Sequence, residues 1–319
     1  MRSARVLITG VGGIGGVNFV NALRLAESQV DLRLYLVGTD HNPYYIHFAN
    51  VDARYRTPPR HDDPNFLSTI LDIIRKHGIE FLHPHPSVEA NVVASNRGLF
   101  DPINVRTYLP SPESIAPPDK AVIVDKMTRA GGVPVPRTMS IKTLDDIDEA
   151  FSRLGGPLWI RARRGAGGRL SLRVNNPEEA KLWVRLNVLQ GRASIEDFII
   201  QEYLPGRDVA FDSLWYRGRL VTSYARERIE YPFKHISLSG ITGTPSVART
   251  ISDEEVNKVG VRAVLALDPP EPPHGFYSVD LKEDPPNGRF RVTEVDGKWH
   301  TTAPLWGPLN GEGLPGPEV

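Results

Sequence analysis

The sequence predicts an α/β unit followed by α+β units, and three observations support this fold class. Short apolar strands alternate with amphipathic helices over residues 1–115, which is typical of a parallel sheet covered by helices. Strands dominate after residue 198, with a single long helix among them. The chain has 319 residues, too many for one compact core, so we expect two or three subdomains.

The composition excludes several classes of function. Lys plus Arg and Asp plus Glu both number 38, so no overall field attracts nucleic acid or an acidic membrane. The chain contains no cysteine, which rules out disulfides, zinc–thiolate sites and cysteine nucleophiles. No apolar stretch approaches the roughly 20 residues that span a bilayer. We therefore expect a cytoplasmic protein with small-molecule partners, no nucleic acid and no membrane, and we leave open a homo-oligomer.

The first unit, residues 1–115, is predicted to be Rossmann-like. The apolar strand Val6–Ile8 runs into the glycine-rich segment Gly10–Gly16, after which apolar residues recur at helical spacing. Phe66–His77 has one apolar face and ends at Gly78, which is typical of an amphipathic helix with a glycine cap.

The Gly10–Gly16 segment leaves two interpretations open. Backbone amides of glycines that follow a strand can face a dinucleotide phosphate, and Asp40 ends the next strand where a ribose-binding acid would lie. The sequence would then be that of an NAD-dependent epimerase or reductase. However, no Tyr has a Lys four residues later, so the Tyr-x-x-x-Lys pair of short-chain dehydrogenases is absent. The alternative is that these glycines only let the strand and the helix pack closely.

Two further units follow a Pro-rich segment that begins at Pro110. Residues 116–192 contain helices predicted at Ala121–Ala130 and Pro177–Leu189 with short strands between them. Residues 193–319 contain the later strands and a helix predicted to begin at a Ser252 cap.

The chemistry-bearing residues of these units occur in a fixed order. Arg161 ends a strand and precedes the glycine-rich loop Gly165–Gly168, and amides and guanidinium groups of this kind bind polyphosphate. Glu294 and Asp296 lie two apart on a strand, so they share a face, and Asp280 lies on the strand before it. Three converging carboxylates are suited to magnesium. Each piece alone also has a plain explanation as a solvated loop or hairpin.

Taken together, these residues resemble the ATP-grasp superfamily, and most of all the large subunit of carbamoyl-phosphate synthetase and its short relatives. The resemblance rests on motifs spread over nearly the whole chain: Leu7–Gly13, His83-Pro84 with Glu89, Asp125-Lys126 with Gly132–Pro136, Gln201–Gly206, Asp208 and Thr293–Lys298. It implies an N-terminal parallel-sheet pre-ATP-grasp domain, a small lid subdomain and a C-terminal antiparallel-sheet subdomain with the magnesium site.

The resemblance also implies a role for each matching residue. The ATP-binding residues would be Lys126, Arg161, Gly165, Ala166, Gly167, Gly168, Gln201, Glu202, Tyr203, Leu204 and Asp208. The magnesium ligands would be Asp280, Glu294 and Asp296, and the catalytic residues Arg226, Arg228 and Lys298. The implied reaction is ATP-dependent joining of a carboxylate to an amine through an acyl-phosphate.

Three departures from the family pattern leave an alternative open. Arg161 stands where lysine is usual, Asp296 where asparagine is usual, and Gly297-Lys298 where Pro-Arg is usual. A guanidinium forks and binds phosphate differently from an ammonium. A catalytically impaired ATP-binding regulatory module is therefore the alternative to an active ligase.

Overall fold

The computed structural model describes residues 2–59, 61–115, 119–165, 168–267 and 272–298. Over these ranges the chain forms three sheets, one parallel and two antiparallel. The mixed α/β and α+β class predicted from the sequence is confirmed. No helix in the described ranges has the length and apolar content needed to cross a bilayer.

The first sheet is parallel and has the strand order β3-β2-β1-β4. Its elements are β1 (Arg2–Thr9), α1 (Ile14–Gln29), β2 (Leu32–Asp40), β3 (Ala53–Arg56), α2 (Pro64–His77), β4 (Phe81–Pro84), α3 (Ser87–Ser95) and α4 (Pro112–Ile115). The helix predicted at Phe66–His77 is α2, and Gly78 ends it in the left-handed conformation.

The second sheet is antiparallel and has the order β5-β8-β6-β7. Its elements are α5 (Lys120–Ala130), β5 (Thr138–Ser140), α6 (Asp145–Leu154), β6 (Leu158–Ala162), β7 (Leu172–Val174), α7 (Pro177–Leu189) and β8 (Phe198–Glu202). Strand β8 follows the boundary that we drew at residue 192, yet it hydrogen-bonds with β5 and β6 in this sheet. The residues around β8 therefore connect the second unit to the third.

The third sheet is antiparallel and has the order β11-β10-β9-β12-β13. Its elements are β9 (Asp208–Tyr216), β10 (Arg219–Glu230), β11 (Val247–Ile251), α8 (Glu254–Leu265), β12 (Gly275–Asp284) and β13 (Arg289–Asp296). Helix α8 is capped by Asp253, whose side chain accepts from the amides of Glu255 and Val256, and not by Ser252 as the sequence suggested.

The two faces of the third sheet have opposite character because side chains alternate along a strand. On one face, apolar residues such as Val209, Phe211 and Val279 are fully buried in a core shared with α5 and α8. The other face carries Asp208 and Asp280, which line a cavity. The sheet thus positions polar groups on one side by burying apolar groups on the other.

Substituting Gly260 tests the packing of α8 on the third sheet. A β-carbon at Gly260 would lie 2.3 Å from the ring of Phe211. We expect Gly260→Ala to lower the free energy of unfolding by about 1–3 kcal/mol through overpacking. Gly98→Ala is the control, since nothing lies within 4 Å of a β-carbon there. Urea unfolding of both variants checks this, and equal stability would contradict the packing described.

Candidate active site

A cavity of about 830 Å³ lies where the three sheets meet. The first unit contributes His85, Pro86 and Ser87, and the other walls come from the second and third units. Twelve of the residues predicted from the sequence line it: Arg161, Gly168, Gln201, Glu202, Tyr203, Leu204, Asp208, Arg228, Asp280, Glu294, Asp296 and Lys298. Residues distant in the chain therefore converge as the sequence motifs predicted.

Strand register brings the acidic side chains of the third sheet together. Asp280 on β12 lies opposite Glu294 on β13, and Asp296 lies opposite Ser278. On its other side Asp280 lies opposite Ala210 of β9. Directly opposed residues of an antiparallel pair share a face, so the carboxylates emerge on the cavity side.

Each of these carboxylates is paired with a cation. Arg161 Nη2 lies 3.0 Å from Glu294 Oε2, and Lys298 Nζ lies 3.3 Å from Asp296 Oδ2. Arg228 reaches two carboxylates at once, 3.0 Å from Asp208 and 2.5 Å from Asp280.

Lys120 is a buried cation beside Glu294 that the sequence reasoning missed. Its Nζ is buried, lies 3.4 Å from Glu294 Oε1 and donates to the carbonyl of Gly165 at 2.6 Å. Burial lowers the pKa of Lys120, and the Glu294 carboxylate opposes that effect. The signal was the Asp119-Lys120 pair at the start of α5, where Asp119 caps the helix.

Lys126, which we matched to the family's Asp-Lys pair, lies elsewhere. It sits one and a half turns into α5, and its Nζ donates to the carbonyl of Leu267 at 3.0 Å. It does not line the cavity. The sequence contains two Asp-Lys pairs six residues apart, and only the earlier lysine contacts the acidic residues.

Aromatic groups form the end of the cavity near β8. The Trp159 and Tyr203 rings lie 6.2 Å apart, and the Arg173 guanidinium lies 4.9 Å from the centre of the Tyr203 ring. The Glu202 carboxylate contacts Arg137 and Arg291. These cations hold the Glu202 side chain, and the Glu202 amide donates to the carbonyl of Arg137 at 3.0 Å. Trp159, Tyr203 and Leu204 also line this end of the cavity and are left to meet a ligand.

The chain is similar to known proteins in both sequence and structure. The chain is 28% identical over 181 residues to the glutamate–LysW ligase ArgX of Sulfurisphaera tokodaii, and this match covers 56% of the chain. The match spans 59% of that relative's length, so the chain aligns with about three fifths of it. No family model matches the chain.

The structural similarity extends over nearly the whole chain. The L-amino acid ligase of Bacillus licheniformis superposes with a TM-score of 0.66 at 14% identity, covering 98% of this chain and 72% of that one. The biotin carboxylase domain of Hydrogenobacter thermophilus 2-oxoglutarate carboxylase, in complex with MgADP, gives 0.63 at 16% identity, covering 98% and 70%. Both are ATP-grasp proteins.

The chain has the ATP-grasp fold.

In ATP-grasp terms, Gly168 of the glycine-rich loop lines the cavity. Gly165 and Gly168 have positive φ angles of 99° and 68°, which glycine adopts without steric cost. Gly168 packs against Ile241, so two segments meet over the cavity. The predicted residues Ala166 and Gly167 lie outside the described residues.

The other glycine-rich segment, Gly10–Gly16, serves packing in this ATP-grasp chain. The carboxylate of Asp40 accepts hydrogen bonds from the amides of Gly12 at 2.9 Å and Asn42 at 2.8 Å. A β-carbon on Gly15 would lie 1.9 Å from His85 Nε2. Asp40 is therefore committed to the loop itself, and these contacts favour the packing interpretation over dinucleotide binding.

The first unit presents an uncharged wall to the ATP-grasp cavity. Burial lowers the pKa of His85 to about 4, so its imidazole is neutral near pH 7. Its Nδ1 lies 3.3 Å from His83 Nε2, and the His83 ring stacks on Phe19 at 3.7 Å.

Asp296 is a buried cavity carboxylate with a raised pKa. Burial, together with the charge of Glu294, raises the pKa of Asp296 to about 6, against the effect of Lys298. This acid stands where the family usually has asparagine, so the position is less negative than a freely ionised Asp would make it.

Arg226 and Arg228 have different surroundings, although both were predicted to be catalytic. Arg226 does not line the cavity, and its Nε lies 2.8 Å from Asp212 Oδ2 with both side chains at most 1% exposed. Burial opposes the charge of Arg226, but Asp212 outweighs it and raises the arginine pKa. Arg226 is therefore a buried structural cation, and Arg228 is the arginine that faces the cavity.

Removing Arg226 tests this distinction. We expect Arg226→Ala to lower the free energy of unfolding by about 3–5 kcal/mol, because Asp212 then loses its guanidinium partner in the interior. The Arg153–Glu149 pair on α6, in which both side chains are exposed, is the control, and Arg153→Ala should change stability by about 1 kcal/mol or less. Chemical denaturation measures both, and a stable Arg226→Ala protein would contradict the structural role.

Proposed function

We propose that this chain is an ATP- and magnesium-dependent ligase that joins a small-molecule carboxylate to an amine through an acyl-phosphate. The observation that carries the proposal is the contact of Arg161 and Lys120 with Glu294 on a cavity that also contains Trp159 and the β8 turn. The ligase names of the relatives, and the MgADP complex of one of them, support it.

The chemistry of joining a carboxylate to an amine explains why such a cavity is useful. A carboxylate is a poor electrophile because oxide would have to leave. Magnesium-bound ATP would supply a phosphoryl group whose transfer turns that oxide into phosphate. The protein's part is to hold the reactants in line, neutralise phosphate charge and keep water out.

The cavity residues are suited to these tasks. Arg161, Lys120 and Arg228 would contact phosphate oxygens, with Arg161 offering a forked pair of donors. The Trp159 ring would stack on the base, beside backbone groups of Glu202–Leu204. Gly168 and the residues before it would close over the phosphates.

Asp280 and Glu294 fit magnesium as the ligands that the protein provides. Carboxylate oxygens are hard donors, and magnesium commonly takes one or two carboxylates plus substrate phosphates. Among the described residues no three acidic or imidazole groups are close enough to hold an ion by themselves. The three-carboxylate cage expected from the sequence is thus not preformed, because Arg228 and Arg161 hold Asp280 and Glu294.

The relatives also suggest a substrate class. One is named for glutamate and another for L-amino acids, and we propose that an amino acid supplies the carboxylate here. The motif resemblance to carbamoyl-phosphate synthetase concerns the nucleotide site and does not indicate a substrate. Cytoplasmic location and a homo-oligomeric state remain predictions.

Turnover is the direct test of this function. We expect ADP to form when the protein is given ATP, magnesium, an amino acid and molar hydroxylamine, which traps acyl-phosphates as hydroxamates. Each of the twenty amino acids is assayed separately, and hydroxamate should appear with a few. Absence of ADP and hydroxamate with every amino acid would contradict the proposed reaction with this substrate class. ATP binding without turnover would indicate the impaired regulatory module.

The magnesium assignment is tested separately by nucleotide binding. In the double variant Asp280→Asn/Glu294→Gln, magnesium should no longer tighten binding of a non-hydrolysable ATP analogue, whereas in the wild type we expect tightening of about tenfold or more. Glu254→Gln, an exposed carboxylate on α8, is the matched control. Calorimetry with and without magnesium checks this, and unchanged magnesium dependence in the double variant would remove the assignment.

A further inference from the structure

The acidic groups of the cavity are electrically balanced without any ligand. Four carboxylates, from Asp208, Asp280, Glu294 and Asp296, contact four cations, from Lys120, Arg161, Arg228 and Lys298. A divalent cation that arrives without nucleotide would therefore meet four carboxylates whose charge is already neutralised by four cationic side chains. To bind, it must first break an existing ion pair, which is costly when the pair is shielded from water.

Arg228 takes part in two of these pairings. Its side chain is 7% exposed, and its two terminal nitrogens reach different acids, Nη1 to Asp208 and Nη2 to Asp280. An arginine guanidinium is charged throughout the working pH range. Arg228 therefore competes directly for the acid that magnesium needs.

Of the two acids that Arg228 contacts, Asp208 is also held by a second side chain. Its second oxygen accepts a hydrogen bond from Tyr231 at 2.9 Å, so Asp208 is held from two directions. Glu294 and Asp280 lie opposite each other in the sheet. A small rotation of the Arg228 guanidinium about its contact with Asp208 would release Asp280 without removing the arginine from the cavity.

We propose that Arg228 is a built-in competitor of magnesium, which keeps the metal from binding until a triphosphate is present. This inference rests on the proposed function and adds to it an order of binding, in which the triphosphate makes room for the metal. A triphosphate supplies the anion that Arg228, Arg161 and Lys120 can contact, and the acids that they leave are then available to the metal. Nucleotide and metal consequently bind as a coupled pair, and neither binds well alone.

Thermodynamic linkage gives this proposal a quantitative form. The factor by which metal tightens nucleotide binding equals the factor by which nucleotide tightens metal binding. If Arg228 causes part of that coupling, an uncharged residue at 228 must lower this shared factor by tightening metal binding to the nucleotide-free protein. Loss of a residue with only a structural role would not tighten that binding.

The experiment measures Mn²⁺ binding to the nucleotide-free protein by electron paramagnetic resonance and by calorimetry. Wild type should bind Mn²⁺ weakly, and Arg228→Gln should bind it about tenfold more tightly, since Asp280 no longer has its competing cation. The coupling between Mn²⁺ and a non-hydrolysable ATP analogue should fall by the same factor. Using one analogue throughout keeps the affinity of metal for nucleotide in solution common to all proteins.

Two further variants keep the result interpretable. Arg228→Lys retains a charge but cannot bridge two acids, so it should lie between wild type and Arg228→Gln, and it serves if Arg228→Gln does not fold. Arg153→Gln removes an arginine from an exposed pair on α6, remote from the cavity lining, and should behave as wild type.

The outcomes separate this inference from the proposed function. Tight Mn²⁺ binding by nucleotide-free wild type, or unchanged Mn²⁺ affinity in both Arg228 variants, would overturn the competitor role even if the protein makes hydroxamate. Failure of wild type to bind Mn²⁺ with the analogue present would instead count against the magnesium-dependent function itself.

Discussion

The contact of Glu294 with Arg161 and Lys120 is the interaction on which the rest of the site depends. It joins the last strand of the third sheet to the second sheet and to the first turn of α5. Without this contact, no ion pair of Glu294 in the described part of the chain would connect the acids of the third sheet with the second sheet, which carries the glycine-rich loop. Lys120 extends the link, because its Nζ also holds the carbonyl of Gly165 at the start of that loop.

The third sheet supplies these charges because the two faces of its strands have different surroundings, a core on one side and the cavity on the other. Val279 and Phe211 pack into a core with α5 and α8, and that burial stabilises the sheet. The alternate residues, Asp280 and Ala210 among them, necessarily face the other way. Core packing and site construction are therefore two results of one alternating pattern.

Much of this arrangement could be predicted from local patterns. The two-residue spacing of Glu294 and Asp296, with Asp280 on the strand before, predicted neighbouring acids, and the register of β12 and β13 confirms it. The amphipathic pattern of Phe66–His77 similarly predicted α2 to within two residues. Period and turn chemistry are properties of short segments, so the sequence alone reveals them.

What could not be predicted depends on distant contacts. Lys120 and Lys126 both follow an aspartate in one helix, and only the packing of α5 decides which of them reaches Glu294. Arg226 and Arg228 share a strand face, yet one is buried against Asp212 and the other bridges Asp208 and Asp280. The mutual neutralisation of acids and arginines is likewise a property of the assembled sheets, because the partners come from separate segments.

A crystal structure with magnesium and a non-hydrolysable ATP analogue would test the account most directly. The account predicts the triphosphate between Arg161 and Glu294, the base beside Trp159, and Arg228 turned away from Asp280. A nucleotide bound instead at Gly10–Gly16, or a triphosphate remote from Glu294, would contradict it.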